Sequence, residues 1–167
     1  MRIFLIGYMG AGKSYTAKRL EEATGRKCVD LDVAIEKHMG LSIGAAFAQR
    51  GEAFFRTQET LVLDQVLSDS TIEIVACGGG APCAKGMGLL LTQAGHVVHL
   101  DPPFEILIPR LLSNPNRPLL MRSGAPLSEL EIKAHWEGRK SCYAFAHERL
   151  IHPVSDHDIQ RWTALFD

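Results

Sequence analysis

The chain has 167 residues and a mass of 18.4 kDa, enough for one domain that buries roughly 70% of its unfolded surface without metal or disulfide support. Hydrophobic residues make up 46% and charged residues 22%, and the 15 glycines and 8 prolines are dispersed, which excludes a disordered, collagen-like or coiled-coil chain. Lys and Arg number 18 against 19 Asp and Glu, and this net charge of -1 argues against a sequence-independent nucleic-acid binder.

Short apolar runs alternate with longer amphipathic stretches, the pattern of β–α–β units around a parallel sheet. Residues 2–6 predict the first strand. The run breaks into glycines too soon for a signal peptide, and no run reaches the roughly 18 apolar residues of a membrane span. Residues 13–23 predict a helix and 27–30 a second strand. Helices follow at 33–39, 43–49 and 52–67, the last with Phe55, Val62 and Val66 on one face. A strand at 72–77 runs into Gly78-Gly79-Gly80, and another is expected at 96–100. After a helix at 103–112, residues 113–128 turn polar, as either a surface loop or a mobile flap over an active site. A long helix at 129–146, a strand at 149–152 and a closing helix at 156–166 complete the chain. Cys28, Cys77, Cys83 and Cys142 form no C-x-x-C pair and read as reduced, mostly buried thiols of a cytosolic protein. His96 and His99 fall on opposite sides of their strand and make a poor metal pair. Trp136 and Trp162 read as packing residues on helices.

Gly7-Tyr8-Met9-Gly10-Ala11-Gly12-Lys13-Ser14 fits G-x-x-x-x-G-K-[ST], with an apolar strand before it and an amphipathic helix after it. Such a loop turns backbone N–H groups inward around phosphates, Lys13 reaches the β- and γ-phosphates, and Ser14 ligates Mg²⁺. The positive end of the following helix dipole adds to the attraction. No Asn-Lys-x-Asp guanine reader is present, and the strand at 72–77 ends in glycines rather than a metal-orienting Asp. The acidic groups are expected from Asp30-Leu31-Asp32. At positions i and i+2 of a strand both carboxylates share a face and leave the sheet beside the loop, one to orient Mg²⁺ through water and one to accept a proton. Alternatively one of them only caps the next helix.

Arg56 and Arg139 lie on predicted helices, and Arg117 and Arg122 lie in the polar segment. Each could be a solvated charge. Two fixed guanidinium groups also suit a carboxylate, and an arginine in a flap suits charge developing on a γ-phosphate. The triple glycine allows a small substrate close to backbone, or simply makes a tight turn.

In their order, these pieces resemble the shikimate kinase family across most of the chain. They are residues 7–14, Asp30-Leu31-Asp32 with Ile35-Glu36, Gly51-Glu52 with Phe55-Arg56 and Glu59, Gly78-Gly79-Gly80-Ala81, Arg117-Pro118-Leu119-Leu120, and Arg139 with Tyr143. The resemblance implies an α/β fold of three α/β/α layers, with a five-stranded parallel sheet in the order 2-3-1-4-5. It implies a single P-loop kinase domain over 1–167, with a substrate-binding helical region at 33–60 and a lid at 113–128. The implied reaction moves the γ-phosphoryl group of ATP to the 3-hydroxyl of shikimate, in aromatic amino-acid biosynthesis. By the same resemblance, Lys13, Asp32 and Arg117 are catalytic, with Asp32 the candidate base and Arg117 the lid arginine. Gly10, Ala11, Gly12, Lys13, Ser14, Tyr15, Arg110 and Arg117 would bind ATP, Arg110 lying against adenine. Asp32, Arg56, Gly78, Gly79, Gly80 and Arg139 would bind shikimate, and Ser14 and Asp30 (through water) would hold Mg²⁺ as cofactor.

The expected partners are ATP and shikimate alone, with no nucleic acid and no membrane, and the expected state is a cytoplasmic monomer. The chain departs from the family pattern at Lys140-Ser141-Cys142-Tyr143 after Arg139, at His152-Pro153-Val154-Ser155 on the adenine side, and in its short C-terminal helix. The alternatives are a related kinase for another polyhydroxy acid such as gluconate, or a pathway relative that binds ligand without turnover. Retention of Lys13, Asp32 and Arg117 together argues against the latter.

Overall fold

The structure, a computed structural model, describes residues 1–113, 121–122 and 125–166, with only the backbone at 121–122 and 125–126. In chain order the elements are β1 (Ile3–Ile6), α1 (Lys13–Thr24), β2 (Lys27–Asp30), α2 (Leu31–Met39), α3 (Ile43–Ser68), β3 (Ile72–Ala76), α4 (Met87–Ala94), β4 (His96–Leu100), α5 (Phe104–Leu112), β5 (Met121–Arg122), β6 (Ala125–Pro126), α6 (Glu129–Arg139), β7 (Glu148–Leu150) and α7 (Asp156–Thr163). Short 3₁₀ turns occupy Ala81–Cys83, Lys140–Tyr143 and Ala164–Phe166. The main sheet is parallel throughout, in the order β2-β3-β1-β4-β7, which is the expected 2-3-1-4-5 arrangement of its five strands.

The unbroken apolar runs follow from burial on both faces, since helices cover each side of the sheet. Side chains alternate between two cores as the pleat requires. Ile3, Leu5, Ile74, Ala76, Val98 and Leu100 enter one core with Ala17, Leu20 and Trp162 of α1 and α7. Phe4, Ile6, Val75 and Val97 enter the other with Ile35 of α2 and Phe55, Val62 and Val66 of α3. Helix α3 kinks at Gly51 (φ 80°), so the two helices expected at 43–49 and 52–67 abut end to end. Among the described residues no helix is long and apolar enough to cross a membrane.

Five points differ from the expectations. Strand β2 stops at Asp30, and Asp32 lies in the first turn of α2, because the Asp30 carboxylate accepts from the Asp32 and Val33 N–H groups and starts the helix there. The single helix expected at 129–146 is α6 to Arg139 followed by a 3₁₀ turn. The last strand is Glu148–Leu150, one residue earlier than expected at its start, and helix α4 was not expected at all within its glycine-flanked segment. Finally, Cys83 and Cys142 are joined in a disulfide across 59 residues, so only Cys28 and Cys77 are free thiols. The chain brings the glycine turn after β3 onto the turn after α6, a proximity that sequence spacing does not reveal.

Candidate active site

Register places the site. Leu5 of β1 pairs with Ala76 of β3, and Ala76 pairs with Asp30 of β2, so three strands end at one level of the sheet. Their C-terminal ends release the loop 7–14, the Asp30–Asp32 turn and Gly78-Gly79-Gly80 side by side, where open α/β sheets bind ligands.

In the loop, the Lys13 ammonium donates to the carbonyls of Gly7 (2.8 Å) and Tyr8 (3.0 Å), which folds its charge over the turn. Helix α1 has no side-chain cap at Gly12, so its first N–H groups face the cleft. The Ser14 hydroxyl bonds Asp30 Oδ2 while Oδ1 of the same carboxylate caps α2. Asp30 therefore both caps the helix and reaches the phosphate loop. Arg110 on α5 donates to the Gly10 carbonyl at 3.1 Å, and exposed Tyr15 stands at the rim. The resulting cleft, about 660 Å³, is lined by Gly10, Gly12, Lys13, Ser14, Asp32 and Arg110.

A second chamber of about 220 Å³ lies beyond it, lined by Asp32, Phe47, Phe55, Arg56, Gly80 and Arg139. Asp32 and Gly79 border both cavities. Arg56 on α3 is held by Glu59 (2.7 Å) and Glu52 (3.3 Å), and Glu59 is buried within the apolar face of its helix. Arg139, at the C-terminal end of α6, donates to the Gly79 carbonyl at 3.2 Å and has no carboxylate at ion-pair distance among the described residues. The Tyr143 hydroxyl donates to that same carbonyl at 2.8 Å. A second tie runs from the loop to α6, where Tyr8 Oη and His135 Nδ1 stand 2.6 Å apart.

Burial pushes the Asp32 carboxyl up to about 6, and the neighbouring Asp30, Glu59 and Glu36 charges push the same way against the Lys13 ammonium. Burial likewise pushes the Cys77 thiol up to about 12, so it is inert beside the site, as the sequence suggests.

The glycines earn their positions by close approach. A Cβ at Gly78 would stand 2.4 Å from Asp32 Oδ1, and one at Gly80 would stand 3.0 Å from an Arg139 nitrogen and 3.4 Å from one of Arg56. Gly78→Ala is expected to displace the Asp32 carboxylate and lower kcat about tenfold, the turnover loss of a mispositioned acid–base group. Steady-state kinetics at saturating substrates check this, and an unchanged kcat would show that the carboxylate has room to move.

A nucleotide-sized cleft that opens onto a small chamber, with one carboxylate at the junction, is the plan of a P-loop kinase acting on a small molecule. Phosphoryl donor and acceptor must meet in line across that junction. The model of the family described as shikimate kinase matches residues 9–163. The chain is 42% identical to shikimate kinase of Synechococcus elongatus over 154 residues, 92% of this chain and 78% of the relative. Shikimate kinase from Acinetobacter baumannii, solved in complex with shikimate, superposes with a TM-score of 0.82 at 32% identity, covering 99% of this chain and 89% of that one. The Bacteroides thetaiotaomicron shikimate kinase gives 0.86 at 31%, covering 99% and 98%. The chain belongs to the shikimate kinase family, the ATP-dependent enzymes that phosphorylate shikimate in aromatic amino-acid biosynthesis.

Of the residues expected from sequence, Gly10, Ala11, Gly12, Lys13, Ser14, Tyr15, Asp30, Asp32, Arg56, Gly78, Gly79, Gly80, Arg110 and Arg139 gather at this sheet edge. Arg117 and the lid expected at 113–128 fall largely outside the described residues, as does the side chain of Arg122. Sequence reasoning missed Ile43 and Phe47 as chamber walls. Their helical spacing was the available signal, but it reads equally as core.

Proposed function

We propose that the two cavities divide the reaction between phosphate and acid, with residue roles as follows. The loop N–H groups and Lys13 bind the triphosphate, and Lys13 offsets charge developing on the transferred group. Arg56 and Arg139 grip the carboxylate of shikimate, with Gly78–Gly80 keeping backbone close to the ring. Asp32 orients the acceptor hydroxyl at the junction and takes its proton as the oxygen attacks phosphorus. The observation that carries the reading is Asp32, shared by both cavities and with a pKa of about 6, so that it is ionised yet still basic near neutral pH.

Ser14 and Asp30 supply the hard oxygen donors that suit Mg²⁺, and their direct contact puts hydroxyl and carboxylate at one point of the cleft. Bound there, Mg²⁺ would neutralise phosphate charge. Arg110 braces the loop on the nucleotide side, and its bond to Gly10 supports a place near the base. Arg117 is assigned the lid-arginine role from its motif alone. The enzyme is assigned as a cytoplasmic monomer, and its biosynthetic family supports the cytoplasmic part of that reading.

A coupled assay of ADP release with Mg·ATP tests this reading, run with shikimate, quinate, gluconate or no acid. Strong stimulation by shikimate alone is the expected result. Equal stimulation by gluconate would overturn the assignment of Arg56 and Arg139 to a ring acid.

A further inference from the structure

The disulfide lies against the acid chamber. Cys83 closes the 3₁₀ turn that follows the triple glycine, and its N–H donates to the Gly80 carbonyl at 3.1 Å. Cys142 lies between Arg139 and Tyr143, the two residues whose side chains donate to the Gly79 carbonyl. Two hydrogen bonds and one covalent bond thus join the glycine turn to the end of α6, with Cα atoms 4.8 Å apart at the covalent link. Helix α6 changes to a 3₁₀ turn immediately after Arg139. Without the covalent link, the glycine turn and the end of α6 would be joined by these two hydrogen bonds and by the packing of Tyr143.

We propose that the Cys83–Cys142 disulfide is a positioning element of the shikimate site, holding Arg139 over Gly79 and Gly80, and that its reduction weakens acid binding while leaving the nucleotide site intact. The proposal rests on Arg139 as a carboxylate ligand. The nucleotide side is less directly coupled to the link, because the loop 7–14 is fixed by its own bonds and by Arg110, and its tie to α6 runs through His135, four residues before Arg139.

Cys83 is exposed and its bridge is therefore open to attack, whereas Cys77 is buried. A dithiol supplies the chemistry. Its thiolate attacks Cys83 Sγ, the S–S bond breaks, and Cys142 leaves as a thiolate that takes up a proton. The second thiol of the reductant then displaces Cys83, so the protein gains two electrons and two protons and the dithiol becomes a cyclic disulfide. In a reducing compartment such a bridge is transient and sensing rather than permanent.

The test uses the full chain in three forms: oxidised, reduced with dithiothreitol, and the variants Cys83→Ser and Cys142→Ser. Thiol titration under denaturing conditions should count two thiols in the oxidised protein and four after reduction. Reduction, and either variant, should raise the KM for shikimate five- to tenfold with the KM for ATP changed less than twofold, and the variants should no longer respond to dithiothreitol. If the bridge were purely structural, breaking it would instead lower the unfolding temperature and leave both KM values alone, which overturns the proposal. Four thiols in the protein before reduction would overturn it as well. Arg139→Ala, run in parallel, separates the two readings. If it raises the shikimate KM and breaking the bridge does not, only the positioning role fails. If it too leaves the KM unchanged, the carboxylate assignment fails with it.

Discussion

Asp32→Asn is expected to reduce kcat by about 10²-fold or more while making the folded protein more stable at neutral pH. The loss follows from the place of Asp32, since general-base assistance contributes about 10²–10⁴-fold and this carboxylate borders both the phosphate cleft and the acid chamber. The gain follows from its burial. Its folded pKa, about 6, stands above the 3.8 of an unperturbed Asp, so the folded state holds the proton more tightly than the unfolded one. The stabilisation from that proton is full below about pH 4 and disappears as the pH rises through 6. At pH 7 the ionised carboxylate is thus a cost to folding, about 3 kcal/mol at 1.4 kcal/mol per pKa unit.

Asparagine keeps the shape and carries no charge to bury. Thermal unfolding should therefore show the variant several degrees above the parent at pH 7, and nearly level with it below about pH 4, where the parent carboxyl is protonated both folded and unfolded. In the parent, kcat/KM for shikimate should fall below pH 6 as the base is protonated, with a pKa near 6 for the free enzyme. An Asn variant that turned over normally would remove the base from the mechanism. One that was less stable at both pH values would show that the carboxylate makes compensating contacts.

Legibility from sequence divided along physical lines. The alternation of strands and helices, the packing face of Phe55, Val62 and Val66, and the loop at 7–14 are readable because periodicity and a contiguous motif are local signals, whereas the strand order comes from the family resemblance. Asp30 and Asp32 are legible as residues, but strand geometry is the wrong reason for their placement, and the alternative that one of them caps the next helix holds for Asp30. Either route brings two carboxylates to the loop, so their placement is as expected and the local structure is not. Arg56 and Arg139 were legible as residues, yet the difference between them was not. Glu59 lies three residues from Arg56 on one helix, whereas the carbonyl that holds Arg139 comes from a strand end 60 residues earlier. The disulfide was illegible for the same reason, because only the packed fold brings 83 and 142 together.

That difference between the arginines sets the second large effect. Arg139→Ala should raise the shikimate KM about 10²-fold, with the KM for ATP within about twofold and the unfolding temperature little changed. A hydrogen bond to a charged group contributes about 1.5–3 kcal/mol, and a guanidinium fork offers two of them to one carboxylate. In the structure this group is committed to one carbonyl, and among the described residues no carboxylate competes for it. Arg139→Lys keeps the charge but loses the planar fork, so it should recover only part of the affinity. Arg56→Ala should behave differently, because Arg56 neutralises Glu59, which is only 3% exposed, and its removal leaves a buried carboxylate unpaired. Both the shikimate KM and the unfolding temperature should then suffer. The double variant should bind shikimate better than the summed single losses predict, since one carboxylate can lose its two partners only once. Additive losses would mean that the two guanidinium groups contact separate parts of the substrate rather than a shared carboxylate.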